Sequence, residues 1–371
     1  MFGSILTAVL VLSFLILIHE LGHFIAAKRT GVYVEEFGIG LPPRIFGKKF
    51  GETIYSINAL PFGGFVKLHG ENSLDNIKYP KRSFLKKSKK IRILIITAGV
   101  LMNFFVGILA FSITYSFSGI PRSTGQVKVI EVVPGSPAQV SGILVGDVVK
   151  KVDENNVSDT SEFISQVNEK LDQKVLVEIE RTIDEENETK KIRITPRANP
   201  PESEGPLGVI ITETETYYPP IWQRPFVGIY YGFKEAIFWG ITIVQGLFSM
   251  IIGLFSGNVP QDVSGPVGIF AITTEAAKYG ILSLINFIGI FSVNLAILNI
   301  IPFPALDGGR ILFIAIEVIT RKKVLPKIEN LAHSIGMILL LILLVALTAR
   351  DIQRLVTVGG NISKFLDSVI K

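Results

Sequence analysis

His19, Glu20 and His23 stand together in the stretch Leu15–Lys28, inside an apolar run that begins almost at Met1. Residues four apart on a helix share a face, so the two imidazoles lie one turn apart and can hold a single metal ion. Glu20 lies beside them, where a carboxylate can take a proton from an attacking water. The His-Glu-x-x-His pattern, with Zn²⁺ as the metal, is therefore a hydrolytic arrangement. In a soluble helix, two packed histidines would be the ordinary explanation. In a run of membrane length, each ionisable group costs about 3 kcal/mol or more at mid-bilayer and marks function.

A catalytic zinc takes three protein ligands and leaves one position open. Asp307, in Leu306-Asp307-Gly308-Gly309, is a candidate for the third. It follows another apolar run, which holds Asn294 and Asn299 and is broken by Pro302 and Pro304. Such a turn ordinarily supplies a helix cap. Here it makes a polar, unwound site at membrane depth, tolerated only where it is buried in protein or lines a wet cavity. The chain has no cysteine, which excludes disulfides and thiolate ligands. His69 and His333 read as a loop histidine and an interfacial one.

The elements that must position these groups are mostly apolar. Of 371 residues, 48% are hydrophobic, and the mean hydropathy is +0.46. That excludes an ordinary soluble enzyme and indicates a polytopic membrane protein with a soluble part. Four stretches reach the length of a span, about 20 residues: Ile5–Ala27, Ile93–Phe117, Leu282–Ile301, and Ile335–Leu347 with its flanks. The first lacks a positive n-region and a small-residue cleavage site, so it reads as a retained helix, not a signal peptide. Lys28–Arg92 holds 14 Lys and Arg against 5 Asp and Glu, whereas 121–220 holds 11 against 18. Basic loops stay in the cytoplasm, which puts the first region inside and the second outside. The basic run directly abuts a span, which disfavours nucleic acid as a partner.

The external region, about Thr124 to Thr212, alternates short β-like runs with one helical run, Ser161–Leu171. Its segment VVPGSPAQVSGILVGDVVKKVDENNV resembles the bacterial PDZ domain. That resemblance puts a carboxylate-binding loop at Gly205, Pro206, Leu207 and Gly208, with a peptide pairing along the strand edge that follows.

In order, the chain carries His-Glu-x-x-His, LPFGGFV, AGVLMNF, the PDZ-like domain, SGPVGI at Ser264–Ile269, and NxxxxNxxPxPxLDGG from Asn294 to Gly309. Together these resemble the site-two protease family of intramembrane zinc metalloproteases, of the bacterial regulator-of-sigma-E type with one PDZ domain. The resemblance covers nearly the whole chain. It implies that His19, His23 and Asp307 bind Zn²⁺ and that Glu20 is the general base. It implies substrate-binding positions at Asn103, Asn294, Asn299, Gly63 and Gly64. It also implies a membrane re-entrant β-hairpin at about 41–71, centred on Ile54–Val66. The family usually has Gly-Pro where this chain has Gly99-Val100, and some members carry two PDZ domains where this chain has one.

The expected fold is thus an α-helical polytopic membrane protein with four transmembrane helices, a re-entrant β-hairpin and an inserted β-rich PDZ domain. Residues 1–120 form the first half of the protease core, 124–212 the PDZ domain, and 279–371 the second half. For Asp307 to reach the same zinc as His19 and His23, the third span must start outside. Residues 213–278, with Phe226–Phe255, are therefore expected as an amphipathic helix at the outer interface. The expected activity is cleavage of transmembrane segments in single-span proteins, such as anti-sigma factors or signal-peptide remnants, in a bacterial plasma membrane. Those proteins and membrane lipid are the expected partners. The alternatives are a catalytically idle PDZ scaffold, for which the zinc motifs have no use, and an ion transporter.

Overall fold

The apolar run that carries His19 forms one uninterrupted helix. The elements follow in the order α1 (Phe2–Arg29), β1 (Val34–Phe50), β2 (Thr53–Leu68), α2 (Lys89–Ser118), β3 (Ile120–Val132), α3 (Pro137–Val140), β4 (Val148–Val152), β5 (Asn155–Asn156), α4 (Thr160–Asn168), β6 (Val175–Ile183), β7 (Glu186–Ile194), β8 (Val209–Tyr217), α5 (Arg224–Phe255), α6 (Pro266–Lys278), α7 (Ile281–Ile300), α8 (Asp307–Thr320) and α9 (Pro326–Thr357). The computed structural model describes residues 2–71, 78–183, 186–201, 204–256, 265–322, 324–359 and 365. Ser264, the first residue of SGPVGI, lies outside the described residues. The chain divides into two units, Met1–Phe117 with Ile221–Lys371, and Ser118–Pro220.

In the first unit, α1 and α2 run antiparallel at backbone contact. A Cβ on Gly22 would lie 2.4 Å from the Ala98 carbonyl oxygen, so glycine is what lets the helices meet. α7 is also antiparallel to α2. Ser292 Oγ donates to the Asn103 carbonyl at 2.8 Å, and Gly107 and Gly289 face Val293 and Phe111. α1 and α7 therefore run in the same direction, packed on α2.

Five helices among the described residues are long and apolar enough to cross a membrane, and α5 is one of them. It carries a small residue every four positions: Gly228, Gly232, Ala236 and Gly240. Gly228 rests on Ser112 and Ser116, Gly232 on Ser112 and Ile108, and Ser116 Oγ donates to the Arg224 carbonyl. The first half of α5 thus follows α2 lengthwise and antiparallel. To the expected placement of α5 the fold adds a close contact with α2 along this half. The four-residue stripe is the reason, because it lets two backbones lie close along their length.

The expected hairpin is a larger sheet. Both β1 and β2 bend, at Gly40 to Pro43 and at Pro61 to Gly63, and each bend makes two strands of one. Residues 44–50 pair with 53–58, which pair with 36–39, and 34–39 also pair with 64–68. The sheet begins at Val34, before the predicted start. It lies along α1: Ser13 Oγ donates to the Pro61 carbonyl at 2.7 Å, and Lys28 Nζ to Glu52 Oε1 at 2.9 Å. Arg82 also holds Glu52, and this clamp fixes the far end of the sheet to the last turn of α1. His69, in the turn after β2, is buried. Its Nδ1 bonds Glu35, and its Nε2 accepts from the Tyr79 N–H.

The basic first turn of α2 opposes the helix dipole. Arg92 is compensated by a buried ion pair with Glu317 at 3.0 Å. Removing one partner of such a pair costs about 3–5 kcal/mol.

The second unit holds a six-stranded sheet in the order β7-β6-β4-β3-β8, with β5 on β4. It extends a few residues beyond the expected bounds because β3 and β8 keep pairing out to Ile120 and Tyr217. Val127, Val149, Val177, Ile179, Phe163 and Leu207 belong to its core. β8 is an edge strand, and its Glu213 accepts from the Thr160 N–H of α4 at 2.9 Å.

Candidate metal centre

α1 presents His19 and His23 on one face, as the four-residue spacing requires, and the α7–α8 turn brings Asp307 against them. His19 Nε2 lies 2.9 Å from Asp307 Oδ2, His23 Nε2 lies 3.1 Å from the same oxygen, and the two Nε2 atoms are 3.1 Å apart. Tetrahedral zinc ligands are about 3.3 Å from one another. His23 Nδ1 donates to the Ile95 carbonyl at 2.8 Å. That bond fixes the neutral tautomer and leaves the Nε2 lone pair facing two other lone-pair atoms. Convergent lone pairs of this kind fit a cation between them.

Glycines make the approach possible. A Cβ on Gly99 would lie 2.5 Å from His23 Nε2 and 2.9 Å from His19 Cε1. In Leu-Asp-Gly-Gly, Cβ atoms on Gly308 and Gly309 would meet the Ile301 and Phe303 carbonyl oxygens at 2.1 and 2.4 Å. The turn folds back onto the end of α7, and only glycine fits beside Asp307. α2 remains helical through Gly99-Val100, so the departure from Gly-Pro leaves the second span intact.

Glu20 lines both cavities around the site. Its Oε2 accepts the Val66 N–H at 3.0 Å, which ties it to the strand residues 64–68. The larger cavity, about 920 Å³, is lined by Glu20, His23, Asp307, Phe65, Val66 and Leu68, and further out by charged groups such as Arg92 and Arg310. The smaller, about 320 Å³, is lined by His19, Glu20, Asp307, Asn103 and Asn299.

Of the predicted positions, Asn103 is fully buried, with its amide 3.5 Å from His19 Nδ1. A His19 that offers Nε2 to a metal carries its proton on Nδ1. The matching acceptor is the Asn103 oxygen, since the two ends of an amide are assigned from the network. In that state Asn103 would orient His19. Asn294 is half-buried and lines neither cavity. Gly63 and Gly64 also line neither; they press against Ile16 and Leu17 of α1. In the second unit, the Gly208 N–H bonds the Gly205 carbonyl, and the Leu207 carbonyl accepts from Ala138. Sequence reasoning missed Gly22, Gly99 and Val66, along with the Arg310–Glu71 ion pair that joins α8 to the end of the sheet. Gly22 and Gly99 are signalled only as small residues in helical apolar runs, and Val66 and the ion pair carry no such signal.

The model of peptidase family M50 matches residues 7–343. The chain belongs to this family. A protein of Clostridium perfringens, provisionally named a zinc metalloprotease, is 39% identical over 94% of this chain and 98% of its own length. A Clostridium acetobutylicum protein with the same provisional name is 35% identical over 95% and 98%. Zinc metalloprotease RasP of Oceanobacillus iheyensis is 27% identical over 95% and 99%. The protein is a zinc metalloendopeptidase with several membrane-length helices, and zinc is its metal.

Proposed function

We propose that this M50 peptidase cuts transmembrane segments of single-span membrane proteins inside the bilayer, in regulated intramembrane proteolysis. The observation that carries the reading is the convergence of His19 and His23, on a helix of membrane length, with Asp307, just past the end of another such helix, and with Glu20 at a cavity wall. His19 Nε2, His23 Nε2 and Asp307 Oδ2 would hold the zinc. Zinc, when bound, polarises the scissile carbonyl and makes water more acidic.

The remaining chemistry falls to the chain. Glu20 takes a proton from the attacking water and delivers it to the leaving amine. A substrate helix hides its carbonyls, so it must unwind, and lipid cannot satisfy the freed groups. Residues 65–68 wall the cavity and offer a strand edge for the unwound segment, with Asn299 nearby. The Ser118–Pro220 unit, read as a PDZ domain, would take an extended peptide along β8, beside α4 and residues 205–208. The site would face the cytoplasmic side of a bacterial plasma membrane, with the N-terminus and the β-rich unit outside.

The test is cleavage in liposomes of a single-span protein, with fragment masses locating the cut. Chelator-sensitive cleavage inside the apolar segment is the expected result. Cleavage confined to the flanks, or no cleavage of any single-span protein, sinks the intramembrane reading.

A further inference from the structure

Asp307 follows a strained turn. Ala305 has φ +83°, a left-handed conformation that costs a residue with a Cβ about 1–3 kcal/mol. Something outside the turn must hold it. α9 makes two contacts there. The Ala305 N–H donates to His333 Nδ1 at 2.9 Å. One turn further along, Gly336 lies against Pro304, where a Cβ would stand 2.3 Å from the Pro304 carbonyl oxygen. His333 also packs against Phe313 of α8, ring centroids 5.7 Å apart, so it touches both sides of the Asp307 turn.

We propose that His333 and Gly336 are positioning residues, which clamp the Pro304–Ala305 turn so that Asp307 meets His19 and His23. The role rests on Asp307 being the third zinc ligand. His333 supplies an acceptor to the N–H of a half-buried residue in the turn. Gly336 supplies room for α9 to reach the turn. Neither residue touches the reacting atoms. The clamp's effect is on the geometry of one ligand, and losing support of that kind typically costs 10- to 100-fold in metal affinity.

The readout is zinc affinity of the purified full-length protein in competition with a chromophoric chelator, alongside a thermal unfolding curve. His333→Leu, without the acceptor, is expected to bind zinc at least about tenfold more weakly. His333→Asn, which keeps an oxygen near the place of Nδ1, is expected to bind as the wild type does. Gly336→Ala is expected to weaken zinc by displacing Pro304, and it decides the matter should His333→Leu fail to fold. Full zinc affinity in folded His333→Leu and Gly336→Ala overturns the clamp. Affinity equally poor in His333→Asn and His333→Leu overturns the hydrogen bond as its cause. Asp307→Ala separates the premises: zinc retained at full affinity there removes the ligand assignment and the clamp together.

Discussion

The Val66 N–H donates to Glu20 Oε2 at 3.0 Å, so the expected general base is held by the strand that walls the cavity. The bond orients one carboxylate oxygen and leaves the other free. It also means that the sheet and the catalytic group are one mechanical piece.

Glu20→Gln tests this directly. Glutamine keeps an oxygen for the Val66 N–H but cannot accept the proton of the attacking water. Proteolysis should fall at least about a hundredfold, as expected for loss of a general base. Zinc content and unfolding temperature should stay at wild-type values. Metal analysis beside a reconstituted cleavage assay checks it, and substantial turnover in the variant removes Glu20 from its role.

Gly99→Ala should be far more damaging than a methyl group on an apolar helix normally is. The added carbon would stand 2.5 Å from His23 Nε2 and 2.6 Å from His23 Cε1. His23 is pinned by the Ile95 carbonyl and has little room to retreat. The expected outcome is lost zinc in a protein that still inserts, read by metal analysis of the purified variant. Zinc at one per chain would show that α1 and α2 separate more easily than their contacts indicate.

The His-Glu-x-x-His pair and Asp307 were legible in the sequence because chemistry fixed their types and spacing, and ionisable groups in apolar runs are conspicuous. The sheet was half legible. LPFGGFV marked one edge, but Val34–Ile39 precedes the punctuating prolines and fell outside the expected 41–71. The packing of α5 was not legible, for a different reason. The parity of the spans placed it at the interface; in the fold, Tyr115 of α2 donates to its Glu235 at 2.8 Å and Trp239, one turn further along α5, at 3.0 Å. The bond from Tyr115 joins helices far apart in the sequence, and no local pattern shows it. His333 was passed over for the same reason: its partner Ala305 is close only in the fold.

Glu52 gives a pH dependence with a definite sign. Hydrogen bonds from Arg82 and then Lys28 pull its pKa down to about 2. The folded value lies below the unfolded one, near 4.3. The clamp's stability is therefore fully present above about pH 4.3 and is lost as pH falls toward 2. The carboxylate is 37% exposed, so screening keeps the gain to about 1 kcal/mol or less. Glu52→Gln should lower the unfolding temperature at neutral pH, and the gap to wild type should close on acidification from about pH 5 to 2.5. A gap that stays constant would assign the effect to packing.

Sidedness follows from the helix directions. α1 and α7 both run toward the metal centre and both oppose α2, as Gly22 on Ala98 and Ser292 on Asn103 require. The start of α7 must then lie on the side where α2 ends. The turn after α8, with Arg321 and Lys322, falls on the side where α2 begins, together with the basic residues before it. Positive charge favours the cytoplasm there. The protein has no cysteine, so single replacements report without background. Tyr279, before α7, is 77% exposed, and Lys322 and Lys48 are exposed. In intact cells, Tyr279→Cys should react with an impermeant maleimide, whereas Lys322→Cys and Lys48→Cys should react only after the membrane is opened. Labelling of Tyr279→Cys only in opened cells would reverse α7 in the bilayer. Asp307 could then not share a metal with His19 and His23.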